Sequence, residues 1–164
     1  MMGRLASLVR DRGGSAGAEM ALFLPILFAL IFTMFEGGNY MWSEHKVIKG
    51  VREGARYAGR VNFGDVDCSS STIDANAVTR IKNITRTGRL DGQAIARVPG
   101  WNNTHISVTL DCSALNTGLY GGVGAGPRIL VSTVTPYPSI LGLLGFDTNG
   151  LGVRAQAQSA VMGL

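Results

Sequence analysis

Residues 12–35 read RGGSAGAEMALFLPILFALIFTMF, and this stretch decides the architecture of the chain. Its later part, from Met20 to Phe35, contains sixteen residues without a formal charge, and only Pro25 and Thr33 among them are not apolar. A bilayer-spanning helix needs about 20 predominantly apolar residues at about 1.5 Å rise each. The stretch therefore predicts a single transmembrane helix over residues 15–36.

The helical period continues beyond this span, over residues 37–60. Apolar and small side chains recur at helical spacing there, while basic side chains occupy the other faces. Lys49 and Glu53 are four residues apart, and Glu53 and Arg56 are three apart, so ion pairs along the helix are expected. This pattern predicts an amphipathic helical extension whose basic face either is solvated, lies on lipid head groups or meets a partner helix. The residues are Tyr40, Val47, Val51, Ala55 and Ala58 on the apolar side, with Lys46, Lys49, Arg52, Arg56 and Arg60 on the basic side.

Residues 61–164 are polar and glycine-rich, and they predict a small soluble domain. A helix is expected from Ile73 to Thr87, with Thr72 as its N-cap and Gly88 at its end. Alternating or β-rich runs then indicate strands, since strands place every second side chain on one face. The fold class predicted is α+β, a small antiparallel sheet packed on helix. The expected strands cover residues 94–98, 105–111, 129–137 and 151–161, and 61–71 is expected to be a loop.

Charge and motif content argue against several functional classes. The net charge of +4 comes largely from basic residues that flank the apolar stretch, and no basic stripe interleaved with aromatic residues follows residue 60, so nucleic-acid binding is not expected. His45 and His105 lack a nucleophile-elbow context and metal-ligand spacing. Residues 118–126, GLYGGVGAG, lack the Gly-Lys-Ser/Thr of a phosphate loop and favour a hairpin connection. We expect no enzyme activity, metal, cofactor or small-molecule substrate.

The two cysteines, Cys68 and Cys112, both lie in the predicted soluble domain. An even pair without CxxC spacing is typical of one disulfide in an oxidising compartment, and two free thiols in a reducing compartment are the alternative. If formed, the bond closes a loop of about 45 residues and stabilises the fold by about 3–4 kcal/mol.

Glu19 lies at the N-terminal edge of the apolar stretch, and three interpretations of this edge compete. A secretory signal needs a small-x-small cleavage site after its apolar core, but Glu36-Gly37-Gly38-Asn39 follows here. A plain signal anchor leaves Glu19 without a role. Cleavage between Gly14 and Ser15, which removes a basic leader of residues 1–14, makes Glu19 the fifth residue of the mature chain. The new α-amine is then one helical turn from that carboxylate, and the two charges can pair within lipid, in one chain or between neighbours.

Residues 12–35 and the later block Val51-Arg52-Glu53-Gly54-Ala55-Arg56-Tyr57-Ala58 resemble the TadE-like family of tight-adherence (Flp) pilus systems. The resemblance lies in the small-residue-plus-Glu patch, the proline-containing apolar run and the REGARYA block, which together span about a third of the chain. It implies a minor, pseudopilin-like component for pilus assembly. The expected partners are the inner membrane, other pilin-like subunits, the pilus assembly platform and a prepilin peptidase. Met20 departs from the Tyr that major pilins of this class carry after the Glu, which favours a minor component.

Orientation follows less directly from the sequence. Arg4, Arg10 and Arg12 favour a cytoplasmic N-terminus, whereas the five Lys/Arg that follow the span favour the opposite. A long C-terminal domain translocates largely regardless of charge, and the cysteines agree with export, so we expect a single-pass inner-membrane protein with a periplasmic C-terminal domain. Whether it enters the extracellular pilus stays open. The alternative function is a membrane-tethered envelope or surface binding module outside any pilus.

Overall fold

The computed structural model describes residues 13–112, 126–143, 145–148 and 150–163. Three helices and five strands occur within these ranges, and two short 3-10 turns lie at Phe63–Asp65 and Asn103–His105. The helices are α1 (Gly13–Ala58), α2 (Ala75–Thr87) and the one-turn α3 (Ile140–Leu143). The strands are β1 (Val66–Asp67), β2 (Thr72–Ile73), β3 (Ile106–Asp111), β4 (Arg128–Pro136) and β5 (Gly152–Ala160).

The chain divides into two compact units, residues 1–38 and residues 39–164. The described part of the first unit is helical and includes Pro25. Its apolar side chains are exposed, and one 18-residue window of the helix has a mean hydropathy of 2.2 with none of it buried. By length and composition this is a candidate membrane-spanning segment, since exposed apolar surface of that extent is unfavourable in water. Within it, the Thr33 hydroxyl donates a hydrogen bond to the Ala29 carbonyl at 2.7 Å.

In the second unit, residues 39–58 of α1 bury one face against the rest of the domain. Val47, Val51, Ala55 and Ala58 lie on this face and belong to the core. Their spacing of three or four residues keeps them on one side of a helix with 3.6 residues per turn. The predicted amphipathic pattern in this region is therefore the pattern of a core helix with one exposed face.

Helix α2 begins and ends through side-chain and glycine caps. The Asp74 carboxylate accepts hydrogen bonds from the backbone N–H groups of Asn76 and Ala77 at 2.9 and 3.1 Å, which makes Asp74 the N-cap. The prediction of Thr72 as the N-cap is wrong, because Thr72 pairs with Asp67 in the small β1–β2 ladder. Gly88 ends the helix as predicted, with φ at +83°, a left-handed conformation that glycine adopts without a Cβ clash.

The main sheet has the order β3-β4-β5 and is antiparallel throughout. Ile106 lies opposite Thr133 in the β3–β4 pair, and Thr133 lies opposite Ala155 in the β4–β5 pair. Alternate residues of each strand turn to the core, as a period of two requires. The predicted strands at residues 105–111, 129–137 and 151–161 are confirmed within one residue at either end, and the predicted α+β class is confirmed.

The strand predicted at residues 94–98 is wrong. This segment is irregular, and its backbone is held by the end of α2, because the Arg97 N–H donates to the Arg86 carbonyl at 3.0 Å. The loop between α2 and this segment also contacts α2, because the Asn83 side-chain amide donates to the Leu90 carbonyl at 2.9 Å. The predicted loop at residues 61–71 contains a 3-10 turn and β1. The predicted hairpin connection at 118–126 lies outside the described residues except for Gly126.

Candidate functional site

Three features of the molecule bear on function: the packed face of α1, its exposed basic face, and the apolar helix that precedes them. The packed face contains the block Arg52–Ala58. Within this block Arg52 and Arg56 are exposed, whereas Gly54, Ala55 and Ala58 are buried. The residues of the block thus alternate between solvent and core with a helical period, and the small ones form the contact with the rest of the domain.

Two glycines let α2 and the following loop approach α1 closely. A Cβ atom added at Gly54 would lie 2.0 Å from the Thr85 hydroxyl oxygen, and one at Gly50 would lie 2.4 Å from the Thr85 carbonyl oxygen and 2.9 Å from the Trp101 ring. No real Cβ occupies such positions, so both sites require a residue without a side chain. Small residues at a helix contact bring backbones together and replace side-chain packing with close backbone contact.

Glu53 joins α1 to the loop before β3 through an ion pair with Arg97. The Arg97 side chain is about one-fifth exposed and that of Glu53 about one-third, so the pair is partly shielded from water. The predicted pairing of Glu53 with Lys49 and Arg56 is wrong: among the described residues, neither basic side chain lies within ion-pair distance of Glu53. Arg97 lies in the segment predicted as a strand, and nothing in the local sequence indicated that it would reach α1.

The buried Trp101 ties the sheet to the packed face. Its indole N–H donates to the Thr133 hydroxyl at 3.0 Å, and that hydroxyl in turn donates to the His105 carbonyl at 2.8 Å. Trp101 therefore has a partner for its polar atom while its ring packs beside Gly50, as a buried tryptophan requires. The sequence around Trp101 carries no strand or helix periodicity, so no local pattern indicated that this residue belongs to the core.

The exposed face of α1 is basic. His45, Lys49, Arg52 and Arg56 line, with Ile48 and Glu53, an open groove of about 390 Å³. Lys49, Arg52 and Arg56 at helical spacing create a positive strip in the second unit, where anionic groups would be attracted. The groove is open and shallow, and it brings His45 to basic side chains and to Glu53 rather than to a nucleophile.

The first turn of the second unit is anchored to the segment after β4. The Asn39 amide donates to the Tyr137 hydroxyl and to the Pro138 carbonyl, each at 2.9 Å. The Tyr40 ring contacts the Tyr137 ring edge-on, with centroids 5.1 Å apart. These contacts fix the Pro138–Ile140 segment beside α1, although nearly a hundred residues separate the two in sequence.

Cys68 and Cys112 form a disulfide, with Cα atoms 5.7 Å apart. Asp67, which precedes Cys68, accepts hydrogen bonds from the hydroxyls of Ser69 and Ser70 at 2.6 and 2.7 Å. These hydrogen bonds, that of Ser69 foremost, lower the pKa of the Asp67 carboxyl to about 2, because they stabilise its charged form. The Cys68–Cys112 disulfide joins the region of β1 to the end of β3, and these two strands are not paired with each other.

The residues predicted for processing and docking lie in the first unit. The backbone of Gly14 and Ser15 is part of α1, and Glu19 lies on the same helix as an exposed residue. Their predicted roles, a cleavage junction and a docking carboxylate, stay predictions. Among the described residues, no three His, Cys, Asp or Glu side chains are close enough to hold a metal ion.

Comparison with known families confirms the resemblance drawn from the sequence. The family model described as TadE-like protein matches residues 14–56. The match therefore includes Glu19, the apolar run and most of the Arg52–Ala58 block, and it ends before the sheet begins. No curated protein and no solved structure matches the chain. The TadE-like match suggests a pilus-associated component, and the candidate membrane-spanning helix is consistent with a membrane-anchored one.

Proposed function

We propose that this chain, whose residues 14–56 are TadE-like, is a minor pseudopilin that assists assembly of a tight-adherence pilus at the bacterial inner membrane. One observation carries the proposal. The matched segment coincides with α1 and includes both the exposed apolar run and the helical face that holds the folded unit. A protein built in this way presents a long helix to its neighbours, which is what assembly into a helical bundle requires.

The exposed apolar run supports packing with other pilin-like subunits in the membrane. Lipid tails cover such a surface as well as another helix does, so association in a bilayer depends on close packing and on polar pairs rather than on hydrophobic burial. Glu19 is the carboxylate of this run and is expensive in lipid without a charged partner. Under the proposal, its partner in the assembly is the α-amine of Ser15, created when the prepilin peptidase cleaves after Gly14.

The disulfide supports a periplasmic location for the second unit. Disulfides persist in oxidising compartments such as the periplasm and are rare in the cytosol. Residues 1–14 then stay in the cytoplasm until cleavage, which agrees with their three arginines and with the positive-inside tendency of short N-terminal segments. The proposed topology is therefore N-terminus inside and the sheet outside.

N-terminal sequencing of the protein from membranes tests the processing step. We expect a mature chain that begins at Ser15, and a protein that keeps Met1 would contradict the pseudopilin role and favour a tethered binding module. A second experiment replaces Glu19 with Ala and measures piliation and cross-linking to partner pilins. The Glu19→Ala protein should insert normally and assemble poorly, whereas the control Glu44→Ala, which removes a carboxylate from the second unit, should assemble normally. Equal piliation in both variants would reject the pairing role.

A further inference from the structure

A group of exposed apolar side chains lies at the start of the second unit, where the chain leaves the apolar run. Trp42 is 60% exposed, Ile140 39% and Phe146 63%. Trp42 and Ile140 line the same apolar cleft of about 370 Å³, together with Lys46 and Asn39. We call Trp42, Lys46 and Ile140 the Trp42 surface; exposed Phe146 follows Ile140 six residues later in the chain.

Two sets of contacts hold this surface together. The hydrogen bonds of Asn39 to Tyr137 and Pro138 fix the base of the segment that carries Ile140. The Phe146 N–H donates to the Leu141 carbonyl at 3.2 Å, which ties Phe146 to α3. Ile140 and Phe146 are thus exposed after a segment that is bonded to Asn39 of α1, and neither side chain belongs to the core.

The chemistry of the Trp42 surface fits the interfacial region of a lipid bilayer. The Lys46 ammonium lies 3.3 Å from the centroid of the Trp42 ring, so an amphipathic indole and a cation are presented together. Tryptophan concentrates at the level of the head groups, and lysine keeps its charge in the polar layer while its stem covers apolar surface. Apolar side chains such as Ile140 and Phe146 enter the boundary between head groups and acyl chains.

Chain connectivity selects the bilayer over other occupants. Gly38 ends the unit that contains the candidate membrane-spanning segment, and Asn39, which begins the second unit, lines the cleft of the Trp42 surface. A membrane that holds the preceding segment is therefore available to this surface without any diffusional search. We propose that the Trp42 surface lies on the outer leaflet of the inner membrane and that Ile140 and Phe146 make a second membrane contact, which holds the domain at the bilayer before assembly. This inference rests on the membrane anchoring in the proposed function.

Lipid-attached quenchers test the proposal in the full chain reconstituted into vesicles that contain phosphatidylethanolamine and phosphatidylglycerol. Both native cysteines are in the disulfide, so a single added cysteine can carry an environment-sensitive fluorophore. The test positions are Ile140→Cys and Phe146→Cys. The matched control is Phe63→Cys, another exposed aromatic residue of the second unit, beyond the C-terminal end of α1 at Ala58. A fourth variant, Leu27→Cys, reports insertion of the apolar run.

We expect a shallow nitroxide lipid to quench the labels at residues 140 and 146 at least twofold more than the label at residue 63. Labels at 140 and 146 that are quenched no more than that at 63, while a deep nitroxide quenches the label at 27, would overturn the second contact and leave the anchored function intact. Absence of quenching at 27 would overturn the inference together with the proposed anchoring. Labels at 140 and 146 shielded from aqueous iodide but not quenched by lipid would show that protein covers the surface, which also overturns the inference.

Discussion

Replacing Gly54 with alanine tests the idea that the REGARYA block is a packing motif. The added methyl carbon would lie 2.0 Å from the Thr85 hydroxyl oxygen and 3.2 Å from its Cβ. Non-bonded heavy atoms prefer separations of about 3.5 Å, so the nearest contact is about 1.5 Å too short. Thr85 is fully buried and its hydroxyl donates to the Ile81 carbonyl at 2.8 Å. Relief therefore requires either the loss of that hydrogen bond or a shift of α2 away from α1.

Two opposing terms set the size of the effect. Overpacking in a well-packed core costs about 1–3 kcal/mol, whereas alanine favours a helix interior over glycine by about 1 kcal/mol. Because the contact is as short as 2.0 Å, the overpacking cost should lie in the upper part of that range, at about 2–3 kcal/mol. The expected net loss in the free energy of unfolding is then about 1–2 kcal/mol. For a folded unit of this size the melting temperature should fall by roughly 3–10 °C. Thermal unfolding of the full chain in detergent micelles, followed by near-ultraviolet circular dichroism, measures this loss.

Two further variants make the result specific. Gly38→Ala changes another glycine of α1 that has open space around it, so it should leave the free energy of unfolding unchanged or raise it by up to about 1 kcal/mol through helix propensity. Thr85→Ala removes the clashing hydroxyl, so the double variant Gly54→Ala, Thr85→Ala should be more stable than the two single effects predict, with a coupling of about 1 kcal/mol or more. A Gly54→Ala protein as stable as the wild type, or a coupling near zero, would refute the close-approach argument.

Three other predictions concern the contacts that hold the second unit together. Arg97→Gln should lower the free energy of unfolding by about 1–2 kcal/mol, because it removes the partly shielded partner of Glu53; a loss below 0.3 kcal/mol in chemical unfolding would contradict this. Reduction of Cys68–Cys112 should cost about 3–4 kcal/mol for the loop of 44 residues, as measured by calorimetry with and without reductant, and an unchanged melting temperature would contradict it. The Asp67 carboxyl should titrate near pH 2 in carbon-detected NMR. Because its pKa is lowered on folding, its contribution to the stability of the fold is present above pH 3.8 and is lost as the pH falls towards 2. A titration midpoint at 3.8 would contradict the serine contacts.

Much of the architecture follows from the sequence because its signals are local. The length and apolar composition of the run predicted the candidate span. The β-branched residues between Ile129 and Tyr137 predicted β4. Gly88 identified the end of α2, since only a residue without a Cβ readily takes the left-handed turn there. In each case the residues that form the structure are neighbours in the chain.

The failures share the opposite property. The N-cap of α2 was placed at Thr72 because Thr is a good cap, but long-range pairing places that residue in a ladder and leaves the cap to Asp74. The segment that contains Arg97 was predicted as a short strand, yet its Arg97 N–H donates to the Arg86 carbonyl at the end of α2. Glu53 has two basic neighbours on its own helix and pairs instead with a residue 44 positions away. None of these partners can be identified from the local pattern.

The two halves of α1 are both helical but differ in what covers their side chains. In the first unit, large apolar side chains such as Phe28 are exposed, so this half depends on lipid or on other subunits for burial. In the second unit, the positions of Gly50 and Gly54 have no room for a side chain because α2 and Trp101 occupy the space.

The family match ends at residue 56, yet the residues that pack against Gly50 and Gly54 lie beyond residue 80. A TadE-like segment read alone would resemble a membrane helix with a small-residue stripe, whereas the stripe here is filled by the chain's own domain. In the proposed assembly, other subunits would meet α1 through the apolar run and the exposed basic face, because the glycine face is already covered.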